Sequence, residues 1–274
     1  MLQFIKHRKL WYIFSGILVL VSIISLFVCR LNFGIDFTGG SVLEIKGTIK
    51  ELPEDIKFNI QKTSDGVILR FKPVDEATHQ KILEQIGAEE ISFESVGPVV
   101  GQELKRKTFW AIGIVLVLII LYIAWAFRKV ENPFKYGLFA VIALSHDVLI
   151  TIGVFSFFRL EIDTAFVAAI LTVLGYSVND TIVVFDRIRE NLIKIRKIDF
   201  AEIVNQSVNQ TLKRSLFTGL GTLFVLLAIF FFGGPTLKNF TLALIIGVIF
   251  GTYSSIFIAS PLLTTFNKSH KLKS

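Results

Sequence analysis

Six long runs of apolar residues constrain this chain more than any other feature. A helix that crosses a hydrocarbon layer of roughly 30 Å needs about 20 mainly apolar residues. An apolar fraction of 53% is also higher than a water-soluble chain of 274 residues normally has. We therefore expect a polytopic α-helical membrane protein whose six transmembrane helices lie at Trp11 to Cys29, Thr108 to Phe127, Tyr136 to Phe158, Thr164 to Phe185, Ser215 to Leu237 and Asn239 to Asn267.

The first run follows a short basic start and has the outline of a cleaved secretory signal. Its length of about 19 residues exceeds the 7 to 15 apolar residues of a signal peptide. No pair of small residues spaced for cleavage precedes Arg30. We expect this span to be retained.

Lysine and arginine residues are concentrated on one side of the predicted spans. The short loops on the other side contain only Arg159 and Lys238. Because cytoplasmic loops carry such an excess, the pattern predicts that both termini are cytoplasmic. Topology and contact with lipid phosphates account for the net charge of +7, so we expect binding to the lipid bilayer and no nucleic acid.

Several classes of function are disfavoured by what the sequence lacks. Cys29 is the only cysteine, which excludes an intrachain disulfide and a cluster of thiolate metal ligands. No phosphate-binding loop, metal-spaced histidine pair or nucleophile constellation is present in the sequence. We expect no cofactor, no metal and no enzymatic activity.

The predicted spans divide the chain into four parts. Residues 1–30 form a cytoplasmic start and the first span, and 31–107 form an extracytoplasmic domain. Residues 108–267 form the remaining five spans with a cytoplasmic loop at 187–214, and 268–274 form a cytoplasmic tail.

The segment between the first two spans has the pattern of a small α+β domain. Alternating residues predict strands at 41–45, 66–71 and 91–96, and 57–61 is the hairpin partner of 66–71 across the turn-rich Thr63 to Asp65. A helix is expected over 75–86, capped by Asp75 and stopped at Gly87. This order suits an antiparallel α+β, ferredoxin-like fold between helices 1 and 2.

A polar stretch between spans four and five contains regularly spaced apolar residues. Val204, Val208 and Leu212 recur every four residues, which predicts a helix lying on the membrane surface. A solvated linker helix is the alternative.

Two acidic residues within the apolar runs are the main candidates for function. Asp180 lies about 24 Å along the fourth span, with Asn179 beside it and Tyr176 and Ser177 one turn back on the same face. A lone carboxylate there costs about 2.5 to 3.5 kcal/mol and needs a partner, water or a proton. Asp147 in the third span is the second candidate, and the alternative for each acid is a bond to a neighbouring helix.

Charged residues near the cytoplasmic ends of the spans can be explained by salt bridges and membrane anchoring. Asp186 and Arg187 lie at the rim of span four, where salt bridges and anchoring suffice. Arg214 opens span five and is either an anchor that extends to the interface or a cation that approaches Asp180.

Five segments together resemble the SecF branch of the SecD/SecF family. The resemblance covers essentially the whole chain, and the motif in span four is highly specific. The segments are FGIDFTGG at 33–40, which contains Asp36, Gly39 and Gly40, VGPVVG at 96–101, SHD at 145–147, GYSVNDTIVVFDRIREN at 175–191 and GTYSS at 251–255.

The resemblance implies an accessory subunit of Sec protein export in the inner membrane, related to the resistance-nodulation-division transporters. Such a subunit is expected to pair with SecD and to use the proton or sodium gradient to move the exported polypeptide. Other implied partners are the SecY/SecE/SecG translocon, YajC and a YidC-type insertase. By the same resemblance, Asp180 is the carboxylate of the ion path and Arg214 the basic residue that works with it.

Two other classes of function remain open at this stage. A small-molecule exporter of the same superfamily would have large paired outer domains. The predicted outer domain of about 75 residues is small for such a protein. An assembly scaffold without ion coupling predicts that neutralising Asp180 and Arg214 together is harmless.

Overall fold

The computed structural model describes residues 2–47, 49, 52–53, 56–62, 66–194 and 198–266. The chain forms two compact units. One comprises Met1–Asn32, Ile112–Leu160 and Ala165–Ser274, and the other Phe33–Ala111 and Glu161–Thr164. We refer to them as the helical unit and the sheet unit.

Helices and strands alternate early in the chain, and after residue 97 the described elements are helices apart from the two-residue strand β6. In chain order the elements are α1 (Arg8–Val28), β1 (Asn32–Phe33), α2 (Ile35–Thr38), β2 (Gly40–Lys46), β3 (Asn59–Lys62), β4 (Gly66–Phe71), α3 (Glu76–Ile86), β5 (Glu89–Val96), α4 (Pro98–Ala126), α5 (Pro133–Phe157), β6 (Glu161–Ile162), α6 (Thr164–Lys194), α7 (Phe200–Phe232), α8 (Pro235–Ser254), a π-helical segment (Ser255–Ala259) and α9 (Ser260–Phe266).

The predicted six membrane-spanning helices are confirmed among the described residues. Each of α1, α4, α5, α6 and α7 is long and apolar enough to cross a membrane, as is the last span, which runs from α8 through α9. The helices extend beyond the predicted spans at several ends. For example, α4 begins at Pro98 and α6 continues to Lys194, because the polar residues there are good helix formers and nothing breaks the helix.

The helix predicted to lie on the membrane surface is instead the first part of α7. Val204 and Val208 are fully buried in the core of the helical unit, so neither a surface helix nor a solvated linker describes this segment. Two of its polar residues bind the start of the chain. The amide groups of Asn205 and Asn209 donate to the carbonyl of Leu2 over 3.1 and 2.8 Å.

Small residues allow the spans of the helical unit to pack closely. A Cβ atom at Gly247 of α8 would lie 2.1 Å from Val173 of α6, and one at Gly153 of α5 would lie 2.3 Å from Ser22 of α1. Such contacts are the usual means of helix association in lipid. The third and sixth spans, α5 and α8 to α9, are the most enclosed of the six.

The sheet unit contains a four-stranded antiparallel sheet on which α3 packs, in agreement with the predicted α+β class. The strand order is β3-β4-β2-β5, with Leu43 opposite both Leu69 and Phe93. Helix α3 packs Ile82 and Ile86 into the same apolar core. The ferredoxin-like assignment stays a prediction, and the predicted turn at 63–65 lies outside the described residues.

Helix α3 begins and ends at the residues that the sequence predicts. The side chain of Asp75 accepts a hydrogen bond from the backbone N–H of Thr78 over 3.1 Å, and Gly87 adopts the left-handed conformation that ends the helix.

Candidate functional site

Asp180 lies half-buried in α6 with only part of its hydrogen-bonding capacity used. The hydroxyl of Ser215 in α7 donates to its Oδ1 over 2.6 Å. Its Oδ2 is buried and, within the described ranges, has no hydrogen-bond partner. The carboxyl group therefore keeps one oxygen available in the middle of an apolar span.

Arg214 precedes the serine that binds Asp180. Its charge acts on the Asp180 carboxyl, although its own side chain is exposed. No salt bridge joins the two residues in the part of the chain that the structure describes. Arg214 and Asp180 are therefore close to each other without forming a salt bridge.

Asp147 in α5 differs from Asp180, because it is fully buried and both its carboxylate oxygens have hydrogen-bond partners. Its Oδ1 lies 2.9 Å from Nδ1 of His146. Its Oδ2 accepts hydrogen bonds from the hydroxyls of Ser177 in α6 and Ser254 in α8, each over 2.7 Å. The prediction that Ser177 faces Asp180 is therefore wrong, because this hydroxyl points to the neighbouring helix.

Adjacent serines at the end of α8 lie between the two acids. Ser254 binds Asp147, whereas the hydroxyl of Ser255 donates to the carbonyl of Gly251 over 2.9 Å and lies close to the Asp180 carboxyl. Ser255 also starts the π-helical segment, a distortion that occurs mostly at functional sites.

The hydroxyl of Thr181 extends this cluster towards α6. Its Oγ1 lies 2.9 Å from the hydroxyl oxygen of Ser255. The roles of Ser215, Ser254 and Ser255 were not predicted. The signal for Ser254 and Ser255 was a pair of hydroxyl residues inside an apolar run, within the segment 251–255 that carries the family resemblance.

Asn179 does not join the carboxyl groups. It is exposed on the surface of the helical unit, together with Gly175 one turn earlier. A Cβ atom at Gly175 or at Gly221 of α7 would meet no atom within 4 Å. This part of α6 and α7 thus presents small and polar residues outward at a depth where lipid-facing helices are normally apolar.

The charged residues at the end of α6 bind one another. Asp186 accepts from Arg189 over 2.5 Å, and Arg187 binds Glu190 over 2.5 Å and Gln210 over 2.6 Å. The structure therefore places Asp186 and Arg187 in an ionic network at the helix end, apart from the contacts of Asp180.

The glycine motif of the sheet unit is held by close backbone packing. Gly39 has a φ of +74°, and a Cβ atom there would lie 2.7 Å from Cα of Pro98. Gly40 has a φ of +146°, with Ile35 only 3.1 Å from the position of its Cβ. The segments 33–40 and 96–101, distant in sequence, thus meet.

Asp36 of the same motif binds the residue that begins α6. Its Oδ2 accepts hydrogen bonds from the backbone N–H and the hydroxyl of Thr164, over 2.8 and 2.6 Å. A second link, which was not predicted, joins Arg70 of β4 to Glu161 of β6 through a two-pronged salt bridge. Both links lie within the sheet unit, which includes Glu161 to Thr164.

The fold and these side chains define a multi-pass membrane protein with ionisable groups inside its spans and a small α+β unit after the first. The family described as protein export membrane protein SecD/SecF, C-terminal, matches residues 78–269, and the SecD/SecF GG motif matches residues 24–47.

Similar proteins are named protein translocase subunit SecF. The one from Sebaldella termitidis is 43% identical, with 98% of this chain and 93% of the relative covered, and the one from Haemophilus influenzae is 40% identical, with 94% and 83% covered. The chain belongs to the SecF family. It is thus a multi-pass inner-membrane protein of the Sec pathway.

Among solved structures, the chain is similar to SecDF from Thermus thermophilus, described as a translocon-associated membrane protein. The TM-score is 0.85 at 32% identity, and the match covers 98% of this chain. A structure of SecDF in its super-membrane-facing form gives a TM-score of 0.73. The chain spans 39% and 38% of these two SecDF chains.

Proposed function

We propose that this chain acts with SecD as an accessory subunit of the Sec translocase, and that it uses the proton or sodium gradient to drive polypeptide export. Asp180 is the group that takes up the ion. The observation that carries this assignment is its buried Oδ2, which has no hydrogen-bond partner in the described ranges. That oxygen is available to accept a proton or to contact a sodium ion.

Uptake of an ion changes the balance of charge at α6 and α7. With the carboxylate ionised, the nearby Arg214 charge attracts it, and protonation removes that attraction. One charge moved through 100 mV yields about 2.3 kcal/mol. This shifts a two-state packing equilibrium by about fiftyfold.

Ser254 and Ser255 of the last span connect the change of charge at Asp180 to Asp147. Ser255 lies close to Asp180 and Ser254 binds Asp147, so a shift of either serine alters the contacts of the other. In this scheme Asp147 and His146 position the last span, while Asp180 exchanges the ion with the membrane gradient.

Association with SecD is supported by two observations. The SecDF chains that this protein resembles are more than twice its length, as expected if the remainder supplies the partner half. The exposed surface at Gly175, Asn179 and Gly221 has the small and polar residues through which membrane helices associate. A SecD helix on this surface would also enclose Asp180.

The sheet unit is the proposed output on the extracytoplasmic side. The excess of basic residues in the predicted cytoplasmic loops favours cytoplasmic termini, which puts residues 31–107 outside. Thr164, the first residue of α6, belongs to this unit and donates hydrogen bonds to Asp36. By family resemblance, the translocon of SecY, SecE and SecG, YajC and a YidC-type insertase are the surrounding partners.

The test is gradient-dependent export into membrane vesicles that contain this chain and SecD. Asp180→Asn should abolish the stimulation by the gradient while the complex still assembles. Asp186→Asn is the matched control, since that carboxylate binds Arg189 at the end of the helix. Stimulation that survives in Asp180→Asn would refute the assignment of this residue.

The same assay separates the proposed function from its alternatives. A scaffold without ion coupling predicts full activity when Asp180→Asn and Arg214→Gln are combined. A small-molecule exporter predicts that removal of the chain leaves protein export unchanged.

A further inference from the structure

An open cleft lies at the ends of α4 and α6, and Asp180 is not among its lining residues. It has a volume of about 490 Å³ and is lined by Trp125, Ala126, Arg128, Lys129, Arg189 and Ile193. Trp125 and Ala126 end α4, and Ile193 is in the last turn of α6. The cleft is therefore at the level where two membrane spans leave the hydrocarbon layer.

Three cations face this cleft, and only one of them is neutralised. Arg189 is held in place by Asp186 over 2.5 Å and by the carbonyl of Ala126 over 3.2 Å. Arg128 and Lys129 are exposed and have no salt bridge to any residue that the structure describes. The cleft thus presents fixed positive charge that lacks an anionic partner.

The apolar part of the cleft is unusually open. Trp125 is 64% exposed and Ile193 52% exposed. The guanidinium of Arg128 lies 5.1 Å from the Trp125 ring centroid, which places charge and aromatic surface side by side. A tryptophan at this depth and neighbouring basic residues are typical of the boundary between acyl chains and headgroups.

We propose that this cleft binds an anionic phospholipid from the adjoining leaflet. Its phosphate lies on Arg128 and Lys129, with Arg189 as a third contact, and an acyl chain lies along Trp125 and Ile193. Exposed apolar residues continue down α4 from the cleft, as a lipid tail requires and a soluble phosphate does not. These are Leu118, Leu121 and Tyr122.

Brominated lipids test this site because they quench tryptophan only at short range. The variant Trp11→Phe/Trp110→Phe leaves Trp125 as the single tryptophan of the full chain. In nanodiscs of phosphatidylcholine, we expect brominated phosphatidylglycerol at low mole fraction to quench Trp125 far more than brominated phosphatidylcholine does.

Charge variants show whether the cleft itself is responsible. Arg128→Gln/Lys129→Gln should weaken the preference for the anionic lipid roughly 10- to 30-fold, since each basic residue near a membrane surface contributes about fivefold. Lys6→Gln/Lys213→Gln removes the same charge at two other exposed positions and should leave the preference intact.

Three results would overturn the proposal. They are equal quenching by both lipids, an equal loss of preference in the two double variants, and a change in Trp125 emission on adding glycerol phosphate without anionic lipid. The last result would assign the cleft to a soluble phosphate ester. Repeating the measurement with SecD bound tests whether the cleft stays open in the complex.

Discussion

The carboxylate of Asp36 caps the helix that carries Asp180, because it accepts both the backbone N–H and the hydroxyl hydrogen bonds of Thr164. Asp36 and Asp180 are separated in sequence by more than half the chain, and Thr164 is the first residue of the helix that contains Asp180. Loss of these hydrogen bonds should first destabilise the start of α6.

We expect Asp36→Ala to loosen the first turn of α6. Loss of an N-terminal cap costs about 0.5 to 2 kcal/mol. Hydrogen exchange measured by mass spectrometry should show faster exchange in a peptide that covers 164–170. Asp36→Asn keeps an acceptor oxygen and should exchange nearly as slowly as the native chain. Equal exchange in all three proteins would mean that the cap adds nothing.

Asp147 should matter more for stability than Asp180. Asp147→Ala leaves the buried hydroxyl of Ser177 without its acceptor, at about 1 to 3 kcal/mol, and leaves that of Ser254 only the Gly251 carbonyl 3.3 Å away. Asp180→Ala removes one such bond, from Ser215. Thermal unfolding in detergent should therefore give a lower midpoint for Asp147→Ala. The reverse order would contradict the structural role given to Asp147.

Gly39→Ala should destabilise the sheet unit. The backbone at Gly39, with φ +74° and ψ +153°, is a conformation nearly restricted to glycine, and strain of this kind costs about 1 to 3 kcal/mol. Gly97→Ala is a matched control, because a Cβ atom there would meet nothing within 4 Å. Limited proteolysis of the full chain should cleave the sheet unit of Gly39→Ala faster and leave that of Gly97→Ala unchanged.

Gly175→Leu should weaken association with SecD without unfolding the chain. The side chain has room within this protein but would occupy the surface proposed for the partner. The measurement is the yield of SecD that copurifies with a tagged chain. Gly113→Leu, at another open glycine in α4, should copurify normally. Normal copurification of both variants would move the SecD contact elsewhere.

The cap of α3 should give the sheet unit a pH dependence in acid. Hydrogen bonds from Thr78 lower the pKa of Asp75 below its usual value. The ionised cap therefore stabilises α3 fully above the ordinary aspartate pKa of about 3.9, and its contribution is lost as the pH falls through the lowered native pKa. Exchange of the first amides of α3, corrected for intrinsic rates, should accelerate in acid for the native chain, and Asp75→Asn should remove that step.

The spans were predictable because the thickness of a bilayer fixes the length of an apolar run, and the strands of the sheet unit were predictable from their alternation. The ends of α4 and α7 were not, since a helix continues into polar residues wherever other protein groups bind them. Asn205 and Asn209 show this in their bonds to Leu2.

The site was partly predictable for a similar reason. Asp180 and Asp147 stand out as acids inside apolar runs, and the structure leaves the first half-buried and the second fully buried. Residues three apart, however, differ by about 60° around the helix axis. Because of this angle, the Ser177 hydroxyl faces Asp147 in α5 and not Ser215 in α7, which binds Asp180. The bond between Asp36 and Thr164 joins residues too distant in sequence for any local pattern to reveal.

The π-helical segment at Ser255–Ala259 contains one residue more than an α-helix would use over the same rise. Each extra residue turns everything after it by about 100°. Leu263 follows this segment and is completely buried. A chain shortened by one residue here would turn Leu263 by about 100° from that position, and the protein would be less well packed.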